Sequence, residues 1–236
     1  MPVLVFASSK GGVGKTTSAL TLACVLTHHG VSTTLIDADP NTPLALWAKR
    51  FPDAVPANLT VQAAFRTDVA EYIDSAKDTY VIVDLEGSRN EEVSVAIGRA
   101  DLVLIPMQGN QLDADEAVNV IKVIRKQETI FRRQIPFRVF ITRSSPVIVD
   151  KGMRDIFAQL RENAIPLMER NMVERSAFKV PFRLGGTIYD LTEKEASNPQ
   201  AAIDNAEEFA QEIRDVLIGK KPATETEEEE VTNHVR

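Results

Sequence analysis

The sequence predicts a three-layer α/β fold with a mostly parallel, twisted central sheet flanked by helices, and three observations predict it. Short apolar runs alternate with helix-length amphipathic segments, the pattern of βαβ units. A glycine-rich loop, Ser9-Lys10-Gly11-Gly12-Val13-Gly14-Lys15-Thr16-Thr17, joins the first apolar run to the first helical segment. Aspartates close the second and fourth apolar runs, Asp37 and Asp84, at the edge where open parallel sheets hold their ligands.

Taken in order, Val3 to Ala7 reads as the first strand. Thr16 to about His29 follows as a helix, with Gly30 just past its end where helices commonly stop. Val31 to Ile36 is the second strand and delivers Asp37-Ala38-Asp39-Pro40 to the carboxyl edge of the sheet. Pro43 to Arg50, carrying Trp47, is a short helix and Leu59 to Phe65 a short strand. Thr67 to Lys77 is a helix ahead of the buried strand Tyr80 to Asp84, and Glu91 to Arg99 a helix ahead of the β-run Leu102 to Pro106. Asp113 to about Ile130 is a long helix in which Asp113 and Glu116 have capping-box spacing. Lys122, Arg125 and Lys126 come later in it, an order that suits the helix dipole. Phe137 to Thr142 is a strand, Asp150 to Asn163 a helix, and Ala201 to Ile218 a last amphipathic helix. From Lys220 the composition shifts to Thr224-Glu225-Thr226-Glu227-Glu228-Glu229-Glu230, which buries no apolar area. One domain over residues 1–219 and an acidic, disordered tail over 220–236 are expected.

Composition bounds the function. The 236 residues suffice for one large core, and 44% apolar with 26% charged residues is ordinary for a soluble globular chain. No apolar run approaches the roughly 20 residues of a membrane span, and the first residues lack a basic leader region. A cytoplasmic protein is expected, without a membrane partner. The single cysteine, Cys24, lies on the apolar side of the first helix, where a buried thiol is expected; one cysteine cannot ligate an iron–sulfur cluster. Net charge is −7, yet residues 122–183 hold 14 Lys/Arg against 6 Asp/Glu. That cationic stretch can meet a phosphate backbone if its charges share a face.

The loop carries the chemistry. Gly11, Gly12 and Gly14 remove the side chains that would keep an anion from the backbone N–H groups and allow positive φ where the chain curls. Lys15 brings a point charge to β- and γ-phosphates, Thr16 a hydroxyl to Mg²⁺, and the helix beginning there its positive end. The strict pattern G-x-x-x-x-G-K-[ST] fails only at Ser9, and an additional lysine stands inside the loop at Lys10. Asp84, at the end of an apolar strand, matches a Walker B aspartate in contact with the metal's shell. Asp84-Leu85-Glu86-Gly87 also has the D-x-x-G spacing that lets a glycine N–H meet a γ-phosphate.

The form K-G-G-x-G-K-T-T resembles the deviant Walker A loop of the ParA/MinD family of dimeric ATPases, within the P-loop NTPases. The resemblance implies ATP and Mg²⁺ as ligands. It makes Lys10 a residue that crosses to the partner's nucleotide and Lys15 the phosphate lysine in cis. Gly11, Gly12, Val13, Gly14, Thr16, Thr17 and Gly87 complete the nucleotide contacts. Asp37-Ala38-Asp39-Pro40-Asn41 resembles the family's motif D-x-D-P-[QN]; it implies that Asp39 positions or activates the lytic water and that Asp37 supports the metal beside Thr16 and Asp84. Leu85 and Glu86 depart from the small or proline residues that follow the aspartate in most relatives.

Further stretches are similar to the same family. They are Ala100 to Pro106 with Asp113 seven residues beyond the proline, and Glu174-Arg175-Ser176-Ala177-Phe178 with Gly185-Gly186-Thr187-Ile188. Adenine recognition is expected near the strand ending at Thr142 and in this late segment. A small ParA-type partition protein is implied: an ATP-dependent homodimer that binds DNA nonspecifically and is released when a ParB-like or other adaptor stimulates hydrolysis. The chain starts directly at the phosphate-binding strand, so no N-terminal operator-binding extension is expected. Candidate DNA contacts are Arg132, Arg133, Arg154, Arg161, Lys179 and Arg183. Lys10-Gly11-Gly12 and Asp84-x-x-Gly87 are also similar to ParA-like proteins of conjugative DNA transfer, and a protein cargo is a further alternative. A MinD-like membrane-positioning ATPase is opposed by the polyacidic end. A small-molecule kinase or synthetase using the same loop is opposed by Lys10, and a tyrosine-cluster autokinase by the presence of only three tyrosines, none in the tail.

Overall fold

The computed structural model describes residues 1–64, 68–86, 91–144 and 151–220. Its seven strands are β1 (Val3–Phe6), β2 (Thr33–Ala38), β3 (Leu59–Ala63), β4 (Tyr80–Leu85), β5 (Leu102–Met107), β6 (Phe137–Ser144) and β7 (Met172–Val173). They form one sheet in the order β3-β2-β4-β1-β5-β6-β7. Every pairing among them is parallel. All residues of β1, β2 and β5 are buried, which is why these strands read as continuous apolar runs and not as alternating ones.

Helices cover both faces. On one side, Val3 and Val5 pack with Ile73 of α3 (Val69–Ser75), Ile97 of α4 (Glu91–Arg99), Ile124 of α5 (Gln111–Phe131) and Ile156 and Leu160 of α6 (Lys151–Glu162). On the other, Leu4 and Phe6 pack with Leu20 and Ala23 of α1 (Lys15–His28), Trp47 of α2 (Pro43–Arg50), Val180 of α7 (Val180–Leu184) and Phe209 and Ile213 of α8 (Pro199–Leu217). The alternation along β1 thus divides the core into two layers. Phe6 meets Phe140 edge-on at 6.2 Å between ring centres, and Phe140 meets Phe209 at 5.0 Å.

Topology prepares a site. From β1 the chain moves through α1 to β2 on one side of the sheet. From β5 it moves through α5 to β6 on the other, so the crevice between these departures lies at the carboxyl ends of β1 and β5. Register adds the carboxylates: Phe6 pairs with Asp84 across β1–β4 and Asp37 with Asp84 across β2–β4, which lines them up at one edge.

Several expectations need correcting. Asp113 and Glu116 do not form a capping box. The helix starts at Gln111, and Asn110 caps it by accepting from Asp113 N at 3.1 Å. The second strand begins later and runs on through Ala38, and the fourth runs through Leu85, so both aspartates are next-to-last residues of strands with neighbours on either side. β7 and α7 have no counterpart in the sequence reading. Cys24 is buried and unpaired, as expected, and burial pushes its thiol up to about 12. Gly87, Phe65, Thr67, Asp150 and the acidic run beyond 220 lie outside the described residues.

Phe209 is wholly buried and closes the ring contacts that run back to β1. Phe209→Ala is expected to cost about 3–5 kcal/mol, read as a lowered urea midpoint with an unchanged slope.

Candidate nucleotide-binding site

The loop between β1 and α1 curls because Gly12 (φ 74°) and Gly14 (φ 99°) take left-handed conformations. A Cβ at Gly12 would meet nothing within 4 Å, which marks an open cradle, whereas one at Gly14 would sit 3.3 Å from the Thr142 methyl. Thr142 also fixes the loop from above: its hydroxyl donates to Val13 O at 2.6 Å. Gly14 then starts α1 and accepts from Ser18 N at 2.9 Å, leaving the first amides of the helix facing the cradle.

Lys15 is 7% exposed and its Nζ donates to Lys10 O at 3.2 Å, within the curl of the loop. Burial lowers the pKa of its ammonium, and the charges of Asp84, Asp39 and Glu86 oppose that shift. Those three acids therefore stand near enough to act on it. Glu86, which departs from the family pattern, shares in the site's charge balance.

Behind the loop, Thr16 Oγ1 donates to Asp84 Oδ2 at 2.6 Å, while Asp84 Oδ1 is buried with no hydrogen-bond partner. Burial is the main reason the Asp84 carboxyl rises from an ordinary 3.8 to about 7, with Thr16 and Lys15 opposing. An orphaned carboxylate oxygen beside a threonine hydroxyl fits Mg²⁺, which keeps several waters and takes one or two protein oxygens plus phosphates. Among the described residues no three His, Cys, Asp or Glu gather as a metal site of their own.

Asp37 is used differently. Its Oδ2 accepts from Leu44 N at 2.7 Å and Ala45 N at 3.0 Å, and its Oδ1 from Asp39 N at 3.3 Å. Burial raises its pKa and these amides pull it down. The carboxylate thereby holds the start of α2 and the turn after β2, leaving Oδ1 as the oxygen less engaged by the chain. Asp39, half-buried just past β2, accepts from Asn41 N at 2.8 Å and Asn41 Nδ2 at 3.0 Å.

Lys10, with 40% of its side chain exposed, pairs with Asp113 of α5, and Ser9 donates to Glu116 one turn further along the same helix. Sequence reasoning placed Asp113 and Glu116 on the cap and missed these contacts. It also named no adenine contacts. A cavity of about 50 Å³ opens beside Gly14 and Thr17 and is lined by Thr142, Arg143, Met172, Arg175 and Phe178. Arg175 Nε is buried without a hydrogen-bond partner, a donor available to a ligand acceptor.

The basic residues do not share one face. Arg133 is engaged by the Gly98 and Ala100 carbonyls at 2.9 and 2.7 Å, and Lys179 by Glu174 at 3.0 Å. Arg154 and Arg161 lie on α6 and Arg132 ends α5, in one helical layer, whereas Lys179 and Arg183 lie by α7 in the other.

Fold and site together define a P-loop nucleotide-binding protein of the ParA/MinD type. A family model described as VirC1 protein matches residues 1–217, and the chain belongs to that family. It is 41% identical over 219 residues to the protein ParA of Rhizobium radiobacter, covering 90% of this chain and 96% of that one. Among solved structures it resembles apo McdA of Cyanthece (TM-score 0.67, 20% identity, 88% of this chain and 99% of that one). It resembles equally a Mycobacterium smegmatis cobyrinic acid a,c-diamide synthase with bound ATP analogue and magnesium (TM-score 0.67, 17% identity, 94% and 97%). Equal TM-scores for McdA and a synthase mean that the fold alone does not choose between their activities.

Removing the Lys15 charge by Lys15→Ala is expected to weaken binding of a fluorescent ATP analogue by at least about 100-fold, since charge-assisted contacts are the strong ones. A second expectation concerns pH. The folded chain keeps the Asp84 proton where the unfolded chain releases it, so this carboxyl lowers stability as pH rises between 3.8 and about 7. Asp84→Asn should therefore flatten that part of the unfolding free energy against pH and be the more stable form at neutral pH in the absence of nucleotide.

Proposed function

We propose that the chain is an ATPase whose two copies close face to face on ATP and thereby bind or position DNA in partition. The reading rests foremost on Lys10, whose side chain is 40% exposed in a loop that already has its own phosphate lysine in Lys15. A second lysine there is surplus to one protomer's phosphates; it pairs with Asp113 of its own chain and would have to leave that carboxylate to serve another copy. The 41% identity to a protein named ParA supports the choice of cargo.

The residues divide the work. Loop amides and Lys15 neutralise the β- and γ-phosphates in cis, while Lys10 of a second copy adds charge to the γ-phosphate as hydrolysis proceeds. Mg²⁺, when bound, supplies charge neutralisation at the phosphate oxygens, with Thr16 and Asp84 as the groups that would hold it. Asp39 orients the attacking water, and its hydrogen bonds to Asn41 fix the carboxylate in place. ATP binds the closed pair better than the open chain and so shifts the population toward it. Closure doubles whatever cationic surface each copy offers, and Arg132, Arg154 and Arg161 are the candidates in one layer. A stimulating adaptor would then release the DNA by speeding hydrolysis, in the cytoplasm.

The same switch carrying a DNA-transfer complex or a protein cargo is the second reading, supported by the Lys10-Gly11-Gly12 form. A membrane-lying role gains no support. No described helix is long and apolar enough to cross a membrane, and α8 carries Asp204, Glu207, Glu208, Glu212 and Asp215 against Arg214 alone.

Duplex DNA retention measured with and without ATP across a salt series tests the main reading. Retention that needs ATP and falls steeply with salt is expected, and none at low salt would favour the other cargoes. Asp39→Ala is expected to lower hydrolysis about 100-fold or more and to leave an ATP-bound dimer visible by light scattering, whereas Lys10→Ala should show no such dimer.

A further inference from the structure

The late segment expected at the adenine is divided between two places. Glu174, Arg175 and Phe178 line the small cavity beside Gly14 and Thr17, whereas Gly185, Gly186 and Thr187 line a separate cavity of about 870 Å³. The last part of α1, with Cys24, Thr27 and His28, and the turn after α2 complete the lining of that larger cavity. Lys15 begins α1 at the phosphate loop and His28 ends it, so the two sites lie roughly 20 Å apart along one helix. The glycines let the chain pass close to its neighbours there. A Cβ would stand 2.7 Å from the Phe51 ring at Gly185 and 3.0 Å from Asp190 Oδ2 at Gly186.

The volume is that of a small-molecule pocket, and the lining says what kind of molecule fits. It contains Asp53, Asp190 and Glu195 and neither lysine nor arginine. Asp190 Oδ2 accepts from Thr187 N at 2.7 Å and Thr187 Oγ1 at 2.9 Å, and Glu195 Oε2 accepts from Thr192 N at 2.9 Å and from the Thr192 hydroxyl. Each carboxylate is thus fixed through one oxygen, and its other oxygen accepts no hydrogen bond among the described residues. The amides of Ala54, Val55 and Gly185 are spent on carbonyls of their own turns. An anion would find neither cation nor free donor in these groups.

Two further observations narrow the choice. Asp53, Asp190 and Glu195 do not converge as a metal site. Val55, Pro56, Leu184 and Leu191 give the same lining an apolar part, and Tyr189 is stacked on His28 with ring centres 3.6 Å apart. Dispersed carboxylates on a partly apolar wall match a ligand whose charges are themselves spread along a hydrocarbon chain.

We propose that this cavity is a second ligand site and takes an organic polycation of the polyamine class, with its ammonium groups on the carboxylates and its methylene spacers on the apolar wall. The site stands independently of the nucleotide reading above.

The test is isothermal titration of the nucleotide-free full chain with spermidine in about 150 mM salt, where exposed charges are screened. Hexaamminecobalt(III), a cation of equal charge without hydrocarbon, is the comparison. Spermidine is expected to bind saturably and at least about fivefold more tightly than the cobalt complex. D53N/E195Q removes two carboxylates, and L184K places a competing ammonium at a position already 52% exposed. Each is expected to weaken spermidine binding roughly threefold to tenfold. Thermal unfolding identifies a variant that fails to fold, and the other then carries the test. The absence of saturable binding to wild type would overturn the proposal, as would a cobalt complex that binds as tightly as spermidine. Spermidine binding unchanged in either folded variant would overturn it too, by assigning the heat to other acids such as Glu227 to Glu230.

Discussion

Lys15 is a charge buried at the first turn of α1, and much of the site follows from keeping it there. A lysine at 7% exposure loses most of its hydration, which in an apolar setting would drive it neutral. The curl of the loop gives it the Lys10 carbonyl as acceptor, and three carboxylates give it charge. Asp84 is brought by the strand next to β1, Asp39 by the strand beyond that, and Glu86 by the residue after β4. The sheet order is thus inseparable from the electrostatics. Any register slip in β4 would move Asp84 to the opposite face and leave the ammonium without its nearest counter-charge.

The neighbouring aspartates Asp37 and Asp84 show how two carboxyls at the same level of a sheet acquire different tasks. Asp37 satisfies three backbone amides and so fastens α2, whereas Asp84 has one hydroxyl donor and an oxygen left over. A satisfied carboxylate builds structure. One left partly unsatisfied in the interior stores an affinity for whatever cation arrives, and burial raising its pKa to about 7 expresses the same fact in protons.

The loop, the parallel sheet and the two aspartate-bearing strand ends were legible because each is encoded locally: glycines for the curl, unbroken apolar runs for strands covered on both faces. What escaped depends on partners far away in the chain. Asp113 and Glu116 carry the spacing of a cap, but Asn110 was already in position to serve, and their carboxylates turned to a loop about a hundred residues earlier. Two-residue β7 is too short for any periodicity to announce, and it exists because β6 offers an edge. Arg133 looked like a surface cation in a basic run, yet it spends its guanidinium on carbonyls at the end of α4. The division of the basic residues between layers could not be seen either, since linear charge density ignores which side of a sheet a crossover takes.

Thr142 has two faces to its work. Its hydroxyl binds the carbonyls of Val13 and Met107 at 2.6 and 3.3 Å, its methyl lies against Gly14, and the same residue walls the small cavity beside Thr17. The loop's grip and the shape of the cavity therefore depend on a single side chain. Whatever displaces it on the cavity side would be felt at Val13 and Gly14 on the other.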